Sequence, residues 1–140
     1  PRQLEPEDQH YFVGNGAERV FLPDGELHIH RREGRPDAFP ADPYLAFLDG
    51  GATPFPLRLR HWRPGDYFYP LGMQGKRQKL QDFFSNNKVH RLEKDRIWLV
   101  ETAGNDLCWV IGYRIDERFK ITERTTHYLE LRFVPLAGRR

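Results

Sequence analysis

Nearly every apolar run in this 140-residue chain is strand-length and is closed by glycine, proline or Asn/Asp turn chemistry, which confines the fold to short β-elements with little helix. Ile97–Val100, Leu107–Tyr113 and Tyr128–Phe133 are β-rich, and between them lie Ala103-Gly104-Asn105-Asp106 and the charged Asp116-Glu117-Arg118. Nearer the start, His10–Val13 and Glu18–Leu22 flank Asn15-Gly16, the favoured centre of a two-residue hairpin turn, so these two runs are expected to pair. Pro23-Asp24-Gly25 supplies a second turn, and Leu27 and Ile29 alternating with His28 and His30 predict a third strand.

The stretch Glu33–Pro43 carries Gly34, Pro36, Pro40 and Pro43 and reads as a linker or long surface loop, because proline removes donors and restricts the residue before it. Tyr44–Leu48 follows as a buried strand ended by Asp49-Gly50-Gly51. Leu57 and Leu59 alternating with Arg58 and Arg60 predict a strand with one apolar and one basic face, turned by Arg63-Pro64-Gly65-Asp66.

One segment breaks the β pattern. Between Lys79 and Asn86, Leu80, Phe83 and Phe84 stand at i, i+3 and i+4, a single helical face, while Lys76, Lys79 and Asp82 point elsewhere. Burying three such side chains stabilises by ~1.5–3 kcal/mol each, enough to anchor the helix on a sheet. A second short helix is expected over 91–96. The sum is an α+β fold, with residues 1–43 as an acidic, β-rich lead-in and linker and 44–140 as the compact domain.

Charge divides the chain more sharply than its net value of +2 suggests. Residues 1–50 hold five Lys/Arg against ten Asp/Glu, and residues 51–140 hold seventeen against ten. Ten cations and four acids fall between residues 57 and 96 alone, with Trp62, Tyr67 and Tyr69 among them. Cations held by a fold beside aromatics suit a polyanion, although a solvated, ion-paired surface has the same composition.

Several chemistries are excluded. There is no GxxxxGK[ST] loop, GxSxG elbow, HExxH or zinc-deaminase motif, and Ser85 is the only serine. Cys108 is the only cysteine, so no internal disulfide or cysteine-based metal cluster can form, which suits the cytoplasm; its place in an apolar strand predicts an inert thiol. His28 and His30 could share one strand face, but a metal needs further ligands, and a solvent-facing strand edge is the plainer reading. No run approaches a membrane span, and the chain, opening on Pro1, reads as part of a longer polypeptide.

Gly72-Met73-Gln74-Gly75 before Lys76-Arg77 has the outline of a glycine loop that lets backbone approach phosphates, or equally of a tight turn feeding the helix. Leu59-Arg60, Gly65-Asp66, Pro70-Leu71-Gly72-Met73, Gly75, Lys79-Leu80, Asp82-Phe83-Phe84, Lys88-Val89, Trp109-Val110-Ile111-Gly112 and Asp116-Glu117-Arg118-Phe119-Lys120-Ile121-Thr122 occur in that order. Together they resemble the carboxy-terminal domain of tRNA(Ile)-lysidine synthetase. Tyr67-Phe68-Tyr69 departs from the family pattern, standing where a basic residue is common, and His90 and Trp98 stand where proline is frequent.

The resemblance implies a layered, β-sandwich-like fold with one or two short helices, as in the related domain of the phenylalanyl-tRNA synthetase beta subunit. It also implies a parent ligase that attaches lysine to the wobble cytidine of the CAU-anticodon isoleucine tRNA, using ATP with magnesium. That catalysis would belong to an amino-terminal domain marked by an SGGxDS loop, which this sequence lacks; this chain itself is expected to need no cofactor.

The implied partners are that tRNA, contacted at its body or acceptor stem, and the chain's own catalytic domain, with a homodimer left open. Arg63, Lys76, Arg77, Lys79, Lys88 and Arg91 are the expected phosphate contacts, Gly72 and Gly75 the points of close backbone approach, and Arg114 and Arg118 secondary contacts. Asp66, Asp82 and Asp116 are expected to be structural. The rival reading is a docking module for a catalytic domain or second subunit, with little RNA contact.

Overall fold

The computed structural model describes residues 9–39 and 41–136. Eleven strands and two short helices are assigned there: β1 His10–Val13, β2 Arg19–Leu22, β3 Gly25–Glu33, β4 Leu45–Asp49, β5 Leu57–Arg60, β6 Tyr67–Phe68, β7 Gln78–Lys79, α1 Leu80–Asn86, α2 Arg91–Lys94, β8 Leu99–Glu101, β9 Leu107–Val110, β10 Arg114–Ile115 and β11 His127–Pro135. Two antiparallel sheets, β1-β5-β8-β9-β10 and β2-β3-β11-β4, face each other, and β6-β7 forms a separate ribbon. The expected α+β layering is what the chain adopts.

The inner faces of the two sheets meet in one core. Val13, Leu57, Leu59, Val100 and Trp109 from the first sheet pack with Leu27, Ile29, Leu48, Leu129 and Leu131 from the second. A second core on the outer face of the first sheet joins Leu80, Phe83 and Phe84 of α1 to Phe68, Leu99, Leu107 and Val110. The first sheet is therefore covered on both sides, which is why Leu99-Val100 of β8 and all of β9 read as apolar runs rather than alternating ones. Between them Glu101 pairs with Leu107 while Val100 pairs with Trp109, so Cys108 is the extra residue of a β-bulge, and it is fully buried.

The helix lands where its i, i+3, i+4 spacing places it, with all three apolar residues buried. Asn87 closes it, its amide donating to the Phe83 carbonyl at 2.8 Å.

Three expectations are corrected. The runs at residues 10–13 and 18–22 do not form a hairpin: β1 pairs with β5 and β2 pairs with β3, in different sheets. Gly14–Ala17 turns the chain from one sheet to the other, with the Ala17 N–H donating to Gly14 O at 3.1 Å and Gly16 at φ +110°. The run 107–113 stops as a strand at Val110, because Gly112 at φ +89° opens the turn into β10. His28 and His30 lie on the outer face of β3, which is interior to its sheet, and His28 is bonded to Glu26 rather than poised for a metal.

The strands of residues 10–33 share both sheets with strands drawn from residues 45–135, so pairing crosses the junction expected at residue 43/44.

Candidate nucleic-acid interface

The ten cations of residues 57–96 separate into two kinds once their partners are known. Arg60 is interior, 6% exposed, and its Nη1 and Nη2 donate to the two oxygens of Asp66 at 2.9 Å each, with Nη2 also reaching Glu101 at 3.2 Å. Arg58 donates to Glu101 through Nε at 2.8 Å. Burial works against the Arg60 charge, and the hydrogen bonds and charges of Asp66 and Glu101 more than offset it, leaving the guanidinium above its ordinary range. The basic face expected of β5 is thus paired with two carboxylates, Arg60 in the interior and Arg58 partly exposed.

That same buried network fixes the turn after β5. Asp66 Oδ2 accepts the Arg63 N–H at 2.7 Å, and the Asp66 carbonyl accepts the Leu80 N–H at 2.9 Å, which joins the turn to the start of α1. Arg63 projects from this turn and is exposed.

Beyond Phe68 the chain makes two successive tight turns, Met73 N–H to Pro70 O at 3.2 Å and Lys76 N–H to Met73 O at 3.1 Å. Gly72 at φ +93° and Gly75 at φ +79° are in the left-handed region, and a Cβ at Gly72 would meet nothing within 4 Å, so that glycine serves backbone conformation and leaves its surface open. Lys76, Arg77 and Lys79 follow, all exposed.

The root of this loop is clamped. Asp116, fully buried, accepts the Tyr69 N–H at 2.9 Å and the Arg118 N–H at 2.8 Å. It also holds the Arg118 guanidinium through Nε at 3.0 Å and Nη2 at 2.9 Å. Leu71 N–H donates to Ile115 O at 3.0 Å, Glu117 N–H to Tyr69 O at 2.7 Å, and Arg114 Nη1 reaches Leu71 O at 3.4 Å.

Arg118 also pairs with Asp106 at 3.1 Å and covers the Tyr69 ring at 4.3 Å; its hydrogen bonds to Asp116 raise its pKa further. Arg118, an expected contact, forms part of the clamp while its side chain stays exposed. The structural parts expected of Asp66 and Asp116 match this geometry.

The fold brings Gly72, Gly75, Lys76, Arg77, Lys79, Arg114 and Arg118 around one loop, with Arg63 tied in through Asp66 and Leu80. Lys88, at φ +56°, and Arg91, in α2, come after the carboxy-terminal end of α1, whereas the loop leads into its start, so they are not part of the same cluster. Among the described residues, none of Arg63, Lys76, Arg77, Lys79, Lys88, Arg91 or Arg114 is ion-paired, in contrast to Arg58, Arg60 and Arg118.

Sequence reasoning gave Tyr67 and Tyr69 no role beyond membership of the cluster. Yet Tyr67 is 44% exposed, with Arg77 Cζ 4.5 Å above its ring, and Tyr69 lies edge-on to it at 6.3 Å. The signal was in the alternation Tyr67-Phe68-Tyr69, which sends Phe68 to the core and both tyrosines to the other face.

A family model described as the TilS substrate C-terminal domain matches residues 57–132, more than half of the chain and all of the loop, clamp and helix just described. The chain belongs to this family. Similar proteins include the tRNA(Ile)-lysidine synthase of Parabacteroides distasonis, 47% identical over 90 residues, covering 64% of this chain and 20% of that protein. That of Bacteroides thetaiotaomicron is 34% identical over 110 residues, covering 78% and 25%.

A solved chain described as the crystal structure of the TILS C-terminal domain superposes with a TM-score of 0.75 at 26% identity, covering 91% of this chain and 98% of its own. The chain spans about a fifth to a quarter of the length of these curated relatives. The TilS substrate C-terminal domain match begins at β5, so β1–β4 lie outside it although they complete both sheets. No helix among the described residues is long and apolar enough to cross a membrane.

Proposed function

We propose that this chain is the tRNA-recognition domain of a cytoplasmic tRNA(Ile)-lysidine synthase, an ATP-dependent ligase acting on the wobble cytidine of the CAU-anticodon isoleucine tRNA. One observation carries the reading. Arg63, Lys76, Arg77 and Lys79 around the 70–79 loop are exposed and without an ion pair among the described residues, while Arg60 is neutralised in the interior and Arg118, itself exposed, is held by Asp116 and Asp106.

A phosphate backbone requires cations available to it, held at fixed spacing with backbone donors nearby. The loop supplies Lys76, Arg77 and Lys79, with Arg63 and Arg114 at its margins, on a root held by Asp116. A-form RNA is read through shape, phosphates and 2′-hydroxyls, since its major groove is too narrow for side chains, and a rigid basic loop beside an open glycine backbone suits that contact. Lys88 and Arg91 form a second, separate group that would reach another turn of the RNA or none.

The residues here do not fit the ligase's ATP and magnesium. The sequence has no SGGxDS loop, and its one serine, Ser85, is exposed at the end of α1. In this reading ATP, magnesium and lysine bind a preceding catalytic domain, the chain's second partner, and no chemical step is assigned to this chain.

The test is fluorescence anisotropy of the chain titrated with the CAU-anticodon isoleucine tRNA and with initiator methionine tRNA over a range of salt. The logarithm of the affinity should fall linearly with the logarithm of salt, and Lys76→Ala with Lys79→Ala should flatten that slope by about two units, one per lost phosphate contact. Preference for the isoleucine tRNA would locate discrimination here. Absence of binding at low salt would sink the reading and favour docking on a partner protein.

A further inference from the structure

The β6-β7 ribbon presents a face that phosphate contact alone does not use. Tyr67 pairs directly with Lys79 and Phe68 with Gln78, so Tyr67 and Lys79 lie on one face of the ribbon, opposite the buried Phe68. Tyr69, two residues along, returns to the Tyr67 face, and Arg77 reaches back over Tyr67.

The side chains form a ladder. Arg118 Cζ lies 4.3 Å from the Tyr69 ring centre, Tyr69 meets Tyr67 edge-on at 6.3 Å and 79°, and Arg77 Cζ lies 4.5 Å from the Tyr67 centre. The inner end is anchored, because Arg118 is held by Asp116 and Asp106. The outer end is not: among the described residues Arg77 has no hydrogen-bond or ion-pair partner, and it is exposed.

A guanidinium seated on an aromatic ring keeps a planar outer surface and a fork of N–H donors. A nucleobase that is not already stacked in a helix is the ligand with a matching flat face, and Arg planes and aromatic rings are the surfaces on which unpaired bases settle. Paired bases inside a duplex present no such face.

We propose that the Tyr69–Tyr67–Arg77 ladder is a stacking site for one unpaired nucleobase, so that the domain binds a junction between RNA duplex and single strand rather than uninterrupted duplex. The ladder caps the base while Lys76 and Lys79 take the phosphates beside it. This rests on the RNA-binding reading above and deepens it.

Three short RNAs separate the possibilities in an anisotropy titration with this chain: a blunt duplex, the same duplex with a single-stranded overhang, and that duplex with an abasic overhang. The base-bearing overhang should bind about five- to a hundredfold more tightly than the blunt duplex, as expected for one stacked base, and the abasic overhang should show no such gain although its phosphates are intact. Arg77→Lys keeps the charge and removes the plane, so the ratio of overhang to blunt affinity should fall toward one; a melting curve verifies that the variant is folded.

An equal gain from the abasic overhang, or a ratio that survives Arg77→Lys, overturns the stacking site. Salt-dependent binding of all three RNAs with no overhang effect leaves the general RNA reading standing without it. Binding of none overturns both.

Discussion

Replacing Asp66 with Asn preserves the shape of the side chain and deletes its charge, at the point where the buried network holds the Arg63 turn. Asp66 takes two Arg60 nitrogens at 2.9 Å each and the Arg63 N–H at 2.7 Å. An Asn offers one acceptor oxygen and turns an NH2 toward a guanidinium that can only donate, so at least one Arg60 bond is lost. Arg60 can spare little: its side chain is 7% exposed and its Nε has no partner among the described residues.

Removing one member of a buried ion pair costs ~3–5 kcal/mol. Glu101 continues to hold Nη2 and Asp66 itself touches solvent, which brings the expected loss to ~2–3 kcal/mol. At about 2.1 cal/mol/K of unfolding entropy per residue, ~0.3 kcal/mol/K for 140 residues, Tm should fall by roughly 7–10 °C. Arg58→Gln is the internal comparison: Arg58 is a quarter exposed and its loss leaves Glu101 paired with Arg60, so ~1 kcal/mol and roughly 3 °C are expected. Calorimetric melts of the two variants decide it. Shifts of similar small size would refute the argument that burial makes Arg60 dependent on Asp66.

Asp116→Ala removes the acceptor of the Tyr69 and Arg118 N–H groups and of the Arg118 side chain, and should destabilise by ~2–3 kcal/mol, with faster amide exchange concentrated at Tyr69 and Arg118. Uniformly faster exchange would instead mean the clamp holds the whole fold rather than the loop root. Burial, with the Asp116 charge adding to it, pushes the Cys108 thiol well above its ordinary range. The unfolded chain therefore releases this proton above pH ~8.5 while the folded one keeps it, so stability should decline as pH rises past that value, and Cys108→Ala should flatten the decline in denaturant titrations. The same burial predicts slow labelling by a thiol reagent at pH ~8.5, and rapid labelling of the folded chain would contradict it.

The helix and most strands were legible because their signals are local. Leu80, Phe83 and Phe84 needed only a face to cover, and Leu22-Pro23-Asp24-Gly25 closed the β2-β3 hairpin as its turn chemistry suggests. The turn at Asn15-Gly16 misled because the local pattern does not name the strand's partner. Tyr11 and Val13 point into the core from one sheet, Val20 and Leu22 from the other, and their alternation is the same in either arrangement.

Which cations are already neutralised was not legible for a related reason. Arg58 and Arg60 are neutralised by a glutamate 43 and 41 positions away, and Arg118 by a carboxylate whose burial depends on the folded loop, none of which a count of charges along the chain contains. Exposed cations and neutralised ones have identical letters.

β11 lies between β3 and β4, paired with β3 along its whole length and with β4 over Tyr128–Arg132. During synthesis, then, β3 and β4 are made early yet have no partner for their facing edges until residues 127–135 leave the ribosome. Leu27, Ile29, Ala46 and Leu48 meet Leu57, Leu59, Val100 and Trp109 of the facing sheet, but the sheet that carries them stays divided between β2-β3 and β4 until β11 is made. Closure of this sheet is a late, all-at-once event, and a polypeptide interrupted before residue 127 forfeits the sandwich rather than a single strand.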